Sequence, residues 1–410
     1  MRMLSGINIY FAGTSGIESR ELQWQELIKS RLLSYWDIQE DQFAVPFAYQ
    51  LIKEKKNLCK EERLNNLLAL LPFEVKSESY NTWEKKLRMI KESDFKVKLF
   101  LDSGAFSAWT QGAEINIEKY IEFIQENKDI IHIYANLDVI KVRNPDTTSK
   151  NKWIGPNRET AEKTLENQKI MEDAGLNPLP CFHYGEPFEY LKFYVENYDY
   201  IALGVAGNSG MALMPWLDEC FEKYICDEKG FPKVKVHGFA VTSLKVMLRF
   251  PWFSVDSTTW VLTGRMGIVF CPMRKNGEWQ YRIPPLKVAV SSRSPSKKEA
   301  GKHISTLPRE EKNMVMDYLA EKGFELGQSE FRMERQDYIL QENEIWSGKK
   351  PINKSEKREL EVIIKPGISN RYWLRDRANI QYFADLHTHM PFWPWSFNRT
   401  SQRMLKGMDE

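Results

Sequence analysis

Three short apolar runs in this chain each end in an aspartate. Val97 to Leu101 leads into Asp102, Ile131 to Leu137 into Asp138, and Phe253 to Val255 into Asp256. A buried run that stops at an acid delivers a carboxylate to the mouth of a pocket. Taken singly, such an aspartate equally serves as the cap of the next helix. Taken together, buried carboxylates push one another's pKa values apart, so that one stays ionised while another carries a proton. That division of labour suits glycosyl transfer, in which one carboxylate attacks a sugar carbon and the other protonates the leaving group. The sequence LDSGAFSAW at 101–109 adds Ser103, Gly104 and Phe106 beside Asp102. Gly104 permits a sharp turn or a close approach to a ligand. Asp102 and Asp256 are expected to face each other across one site.

The elements that must position these acids alternate in type. Strands are expected at 7–12, 31–36, 97–101, 131–137, 179–182, 200–203, 234–239 and 253–255. Between the later ones, helical patterns cover 117–126, 156–174 (with Gly175 as its C-cap), 190–197, 216–225 and 243–250. Phe43 to Lys91 reads as mostly helical, and the GTSG at 13–16 as a strand-to-helix turn before a helix over 18–28. Short buried strands joined by helices imply parallel pairing. Eight such units predict an α/β fold, a (β/α)8 TIM-like barrel with its site at the carboxyl ends of the strands. An open doubly wound sheet gives the same local pattern. Residues 1–263 are assigned to the barrel and 264–410 to a C-terminal α+β appendage.

In the appendage, Met266 to Cys271 and Trp279 to Ile283 are expected to form a hairpin around Asn276-Gly277. Ser291 to Lys298 reads as a linker or mobile basic loop, and Pro308 to Lys322 as a helix. Arg371 to Arg377 and Phe392 to Arg403 interleave arginine with tryptophan and phenylalanine. That mixture suits phosphate contact with base stacking, and equally a docking face against the barrel.

Lys and Arg number 58 against 56 Asp and Glu, a net charge of +2, so a nucleic-acid partner needs a local basic face. The five scattered cysteines form no disulfide framework or zinc pattern, and a reducing compartment is expected. With no signal-peptide pattern and no membrane-spanning apolar run, a cytoplasmic, membrane-free protein is expected.

Over residues 97 to 260 the ordered motifs resemble the tRNA-guanine transglycosylase superfamily, most of all its phage-type branch, the DpdA-type enzymes that insert 7-deazaguanines into DNA. LDSGAF at 101–106 resembles TDSGGF, whose Asp is the general acid/base. FSVDSTTW at 253–260 resembles the nucleophile region FDCVLPTR. Asn136-Leu137-Asp138 falls where the family's base-recognising Asp occurs, YIALGVAG at 200–207 resembles YAIGGLAVG, and CFHYGE at 181–186 stands in place of VQGG. The resemblance implies Asp256 as nucleophile and Asp102 as proton shuttle. It also implies Asp138 with the Gly204 backbone as the reader of the base. His183, expected to be neutral near pH 7 unless its surroundings perturb it, either takes part in that reading or is simply a satisfied rim histidine. Ser103 is expected beside the base, with Phe106 or Tyr184 stacked on it. Arg265 is the nearest substitute for the arginine of the family's Pro-Thr-Arg, and so the candidate nucleic-acid contact. The partners implied are DNA with its target base flipped out and a free 7-deazaguanine such as preQ0 or preQ1, acting in a phage-infected host's cytoplasm. That chemistry requires no metal or redox cofactor. Where the transfer-RNA enzymes carry C-x-C-x-x-C…H, this chain has only Cys271. A transfer-RNA substrate, a catalytically silent nucleic-acid-binding barrel and a conventional glycosidase are the alternatives.

Overall fold

The computed structural model describes residues 7–11, 30–34, 98–105, 115–143, 153–154, 156–204, 213–241, 243–348, 350–353 and 355–397. The turn at 13–16, the helices expected over 18–28 and 43–91, and Phe106 lie outside these residues. Eight strands make one sheet: β1 (Asn8–Phe11), β2 (Ser30–Ser34), β3 (Lys98–Asp102), β4 (Ile131–Tyr134), β5 (Cys181–His183), β6 (Tyr200–Gly204), β7 (Lys235–Gly238) and β8 (Ser254–Ser257). They lie in the order β4-β3-β2-β1-β8-β7-β6-β5, with every pairing parallel. The helices between them are α1 (Ile117–Glu126), α2 (Arg158–Asp173), α3 (Phe188–Asn197), α4 (Met214–Glu219) and α5 (Leu244–Arg249), and α6 (Thr259–Arg265) follows β8.

Local sequence explains where these helices start and stop. Asn116 caps α1 by accepting from Lys119 N–H at 2.8 Å. Asn157 and Thr160 form a reciprocal capping box on α2, and Gly175 follows that helix with φ +79°. Helix α4 widens into a π-helical stretch, Cys220–Ile225.

The two outermost strands meet as well. Ala135 bridges Leu179 in parallel, and Asn136 N–H donates to Leu179 O at 2.9 Å while Leu179 N–H donates to Tyr134 O at 2.8 Å. The ring centroids of Phe100 on β3 and His237 on β7 are 4.6 Å apart, although four strand spacings separate them in the sheet order. A flat sheet would hold them about 19 Å apart.

Both faces of the sheet are buried, which is why its strands read as apolar runs rather than alternating ones. Phe100, Ala135, Leu179, Cys181 and Ala202 cluster on one face. Their neighbours along the strands pack the other way, against helices: Leu101 with Tyr120 and Ile124 of α1, and Phe182 and Leu203 with Leu217 and Phe221 of the α4 region.

The chain continues with β9 (Ile268–Cys271), β10 (Met273–Lys275), β11 (Glu278–Gln280), β12 (Leu286–Ala289), helix α7 (Arg309–Glu321), β13 (Gln328–Glu334), β14 (Glu344–Trp346), β15 (Arg358–Lys365) and helix α8 (Tyr372–His389). The Asn276-Gly277 turn is present, with φ +53° and +83°, but the hairpin it closes is β10–β11. Strand β9 pairs instead with β12. Pro272 ends β9 by removing a backbone donor, so the expected single hairpin splits into two ladders. Residues 291–298 are not a loose linker. Ser292 Oγ donates to Ser369 O at 3.0 Å, Arg293 Nε lies 3.1 Å from Glu361 Oε2, and Pro295–Lys298 forms a 3-10 turn.

Helix α8 docks on the sheet unit. Asn379, fully buried, donates to Trp260 O and Ile268 O and accepts from Phe270 N–H. Arg375 donates to Gly264 O at 2.7 Å and to Ile368 O at 2.7 Å. His387 bonds Ile7 O, Trp393 Nε1 donates to Pro251 O, and Phe397 N–H donates to Gly230 O. Ile7, Pro251 and Gly230 precede β1, β8 and β7, so this segment clasps the amino ends of the strands. Its Ile380, Phe383, Leu386 and Phe397 share one apolar cluster with Val236, Trp252 and Val255. The core therefore runs uninterrupted across residue 263, and of the two readings of the arginine–aromatic segment, docking holds for Arg375.

Candidate active site

All parallel strands point the same way, so their carboxyl ends gather at one edge. Asp102 ends β3, and Gly104 just beyond it has φ +76°, the left-handed conformation its lack of a side chain makes easy. Ser103 between them is fully buried; its Oγ donates to Asp138 Oδ1 at 2.7 Å and accepts from Ala105 N–H at 3.2 Å. Asp138 follows β4 on a loop pinned by α2. Asn136 Nδ2 donates to Thr164 O, Thr164 Oγ1 accepts from Val139 N–H, and Asn167 Nδ2 donates to Leu137 O.

Asp138 has a second partner from the neighbouring strand. His183, at the end of β5, places Nε2 3.0 Å from Asp138 Oδ2 and Nδ1 3.3 Å from Glu186 Oε1. Burial of His183 disfavours its charged form, but the Glu186 charge and the Asp138 hydrogen bond outweigh that and hold its pKa up at about 10. His183 is thus perturbed from its ordinary neutrality near pH 7: the two carboxylates favour the imidazolium. Burial likewise works against the Asp138 carboxylate. The His183 contact and the Ser103 hydroxyl prevail and hold its pKa below the ordinary carboxyl value.

Gly204 at the end of β6 belongs to this arrangement for a steric reason. A Cβ there would lie 2.4 Å from His183 Cδ2 and 2.8 Å from its Nε2, so only glycine admits the imidazole. Its carbonyl accepts from Tyr184 N–H at 3.0 Å. Beneath the acids sits the Cys181 thiol, driven well up by burial and by the charges of Asp138, Asp102 and Glu186.

Asp256, at β8, is nearly buried and also has an imidazole behind it. Its Oδ1 accepts from Ala240 N–H at 2.7 Å and lies 3.5 Å from His237 Nε2. Among the described residues its Oδ2 takes no hydrogen bond. Ala240 adopts φ +55°, a left-handed turn that aims this N–H at the acid. His237 Nδ1 lies 2.7 Å from Ser254 Oγ, which also meets Tyr200 Oη. Burial pushes the His237 pKa down despite Asp256. The His237 ring packs at a tilt against Phe100, two residues before Asp102 on the same face of β3, which ties the Asp256 half of the site to the Asp102 half.

The structure thus brings Asp102, Ser103, Asp138, His183, Gly204 and Asp256 to one edge. Tyr184 goes elsewhere: strand alternation turns it away from His183, and its ring stands edge-on to Trp216 of the helix layer, 5.5 Å between centroids. It is placed to pack, not to stack on a base. Arg265 is exposed in the last turn of α6, about 10 Å of helix rise beyond the end of β8. Sequence reasoning left Glu186 and His237 without roles. The H-x-x-E spacing across a tight turn is a local signal for the first. The second is separated from Asp256 by a whole βα unit. Among the described residues no three His, Cys, Asp or Glu side chains are grouped to hold a metal, and no helix is long and apolar enough to cross a membrane. Set against protein-family models, curated proteins and solved structures, the chain matches none of them.

Proposed function

We propose that this protein is a base-exchange transglycosylase that replaces guanine in DNA with a 7-deazaguanine of the preQ0/preQ1 kind. The observation that carries the reading is the gathering of Asp102, Asp138 and Asp256 at the carboxyl ends of parallel strands, each in a different environment. The eight strands are read as a closed (β/α)8 barrel. The Ala135–Leu179 bridge and the contact of Phe100 with His237 support closure, and acids at the carboxyl rim are where such a barrel carries chemistry.

In this mechanism the target guanine flips out of the duplex, at a cost of a few kcal/mol. Asp256, one oxygen held by the Ala240 N–H, attacks the sugar C1′ through the other. The C1′–N9 bond breaks as the C1′–O bond forms, and Asp102 gives its proton to the departing guanine. The incoming deazaguanine returns a proton to Asp102, its N9 attacks C1′, and Asp256 is released. Asp138, kept anionic by His183 and Ser103, accepts the N–H donors of the base.

The test supplies labelled guanine or preQ0 with duplex DNA or transfer RNA and follows label into polymer. Label entering DNA is the expected result. Label entering RNA alone would move the substrate to transfer RNA. Label in neither would leave the silent nucleic-acid-binding barrel.

A further inference from the structure

His183 cannot read a base itself. One ring nitrogen meets Asp138 at 3.0 Å and the other Glu186 at 3.3 Å, so both are committed. Glu186 grips this histidine twice, because its second oxygen accepts from the His183 backbone N–H at 2.9 Å. The turn is tied once more by Glu186 N–H donating to His183 O at 3.1 Å. Glu186 and His183 are 5% and 3% exposed, and the Gly204 backbone closes the ring in on one side. Asp138 is the only member of the row with an outlet: its side chain keeps 10% of its surface, and each oxygen, bonded once, retains a lone pair. A carboxylate–imidazole–carboxylate row with one open end makes its terminal acid a fixed acceptor.

We infer that Glu186 is a positioning residue which, acting through His183, fixes Asp138 as the acceptor for a ligand edge presenting adjacent N–H donors, as the Watson–Crick edge of guanine does. The identity of that ligand rests on the base-exchange reading; the relay itself does not. The titratable groups facing His183 are Asp138 from the loop after β4 and Glu186 from its own turn. The Asp102 charge acts on Cys181, and the Glu186 charge on both Cys181 and Tyr194. A merely structural staple between β4 and β5 would affect unfolding but leave ligand affinity alone.

The experiment compares wild type with Glu186→Gln in the full chain. The six histidines are resolved by ¹⁵N NMR, and His183 is assigned by its loss in His183→Asn. Wild-type His183 should remain protonated at pH 8, and Glu186→Gln should lower its midpoint by about one unit or more. Guanine binding, by calorimetry, should weaken on the order of 10-fold, in line with loss of a charge-assisted contact. KM for the free base should rise by a similar factor while kcat changes less, and Glu186→Asp should recover part of the loss. A wild-type His183 that titrates near its ordinary value of about 6.5 overturns the relay. So does unchanged guanine affinity in Glu186→Gln with its His183 midpoint displaced. If Glu186→Gln does not fold, the wild-type titration decides alone. A wild type that exchanges no base, while Glu186→Gln still lowers the His183 midpoint and weakens guanine binding, sinks the base-exchange reading and upholds the relay.

Discussion

At the scale of single residues, two of the three acids are backed by a buried imidazole, and the two imidazoles are shifted in opposite directions. His183 lies between two carboxylates and is held as a cation. His237 meets one carboxylate at 3.5 Å and a hydroxyl at 2.7 Å, and burial keeps it neutral. Removing the proposed nucleophile by Asp256→Ala should abolish the covalent polymer adduct that base exchange predicts on denaturing gels and leave polymer binding largely intact. Exchange at the wild-type rate in that variant would move the nucleophile elsewhere. His237→Phe keeps an aromatic ring against Phe100 and Phe239 while deleting both polar contacts. It should lower kcat on the order of 10-fold, the scale of one lost polar contact, with KM for the base little changed. The acids were legible in the sequence because each ends an apolar run. The histidine behind Asp256 was not, because His237 becomes its neighbour only when β7 and β8 pair.

Among the elements, the strands of the main sheet were the readable part. Burial on both faces demands continuous apolar runs, and such runs stand out at 131–134 and 200–204. Helix α8 did not stand out, since its buried positions include Arg375, Asp376 and Asn379. Polar side chains that spend their hydrogen bonds on the backbone of another unit break the apolar period by which a docked helix is recognised. Those bonds hold the element in place. Asn379→Ala would remove the side-chain acceptor of Phe270 N–H and the side-chain donor shared by the carbonyls of Trp260 and Ile268 inside the core. The variant should lose about 3 kcal/mol of stability, measured by urea unfolding. Gly204→Ala tests the fit of β6 against β5. The added methyl would collide with the His183 ring, at a cost of about 1–3 kcal/mol. It should displace the imidazole, visible as a lower His183 midpoint in the NMR titration.

For the whole molecule, the acids and the clasp occupy opposite ends of one sheet. The acids sit at the carboxyl ends of the strands, and α8 with the segment after it holds the amino ends through Ile7, Pro251 and Gly230. A charge row inside such a body couples folding to pH, and the sign differs for each member. Folding raises the proton affinity of His183, so its contribution to stability is complete below the unfolded value of about 6.5 and is lost as pH climbs through about 10. Asp138 is shifted downward; its contribution is present above the unfolded carboxyl value and is lost as pH falls through the lower folded one. His237, also shifted downward, favours the unfolded chain once pH drops below about 6.5, because the unfolded histidine takes up the proton first. His183→Asn should therefore melt below wild type at pH 7, and the gap should narrow steadily as pH is raised toward 10. His237→Phe should leave that alkaline limb unchanged and flatten the loss of stability on the acid side of pH 6.5. Thermal melts of the three proteins across pH 5 to 10 measure both limbs. A His183→Asn gap that stays constant from pH 7 to 10 would mean that His183 folds uncharged and that no cation holds Asp138.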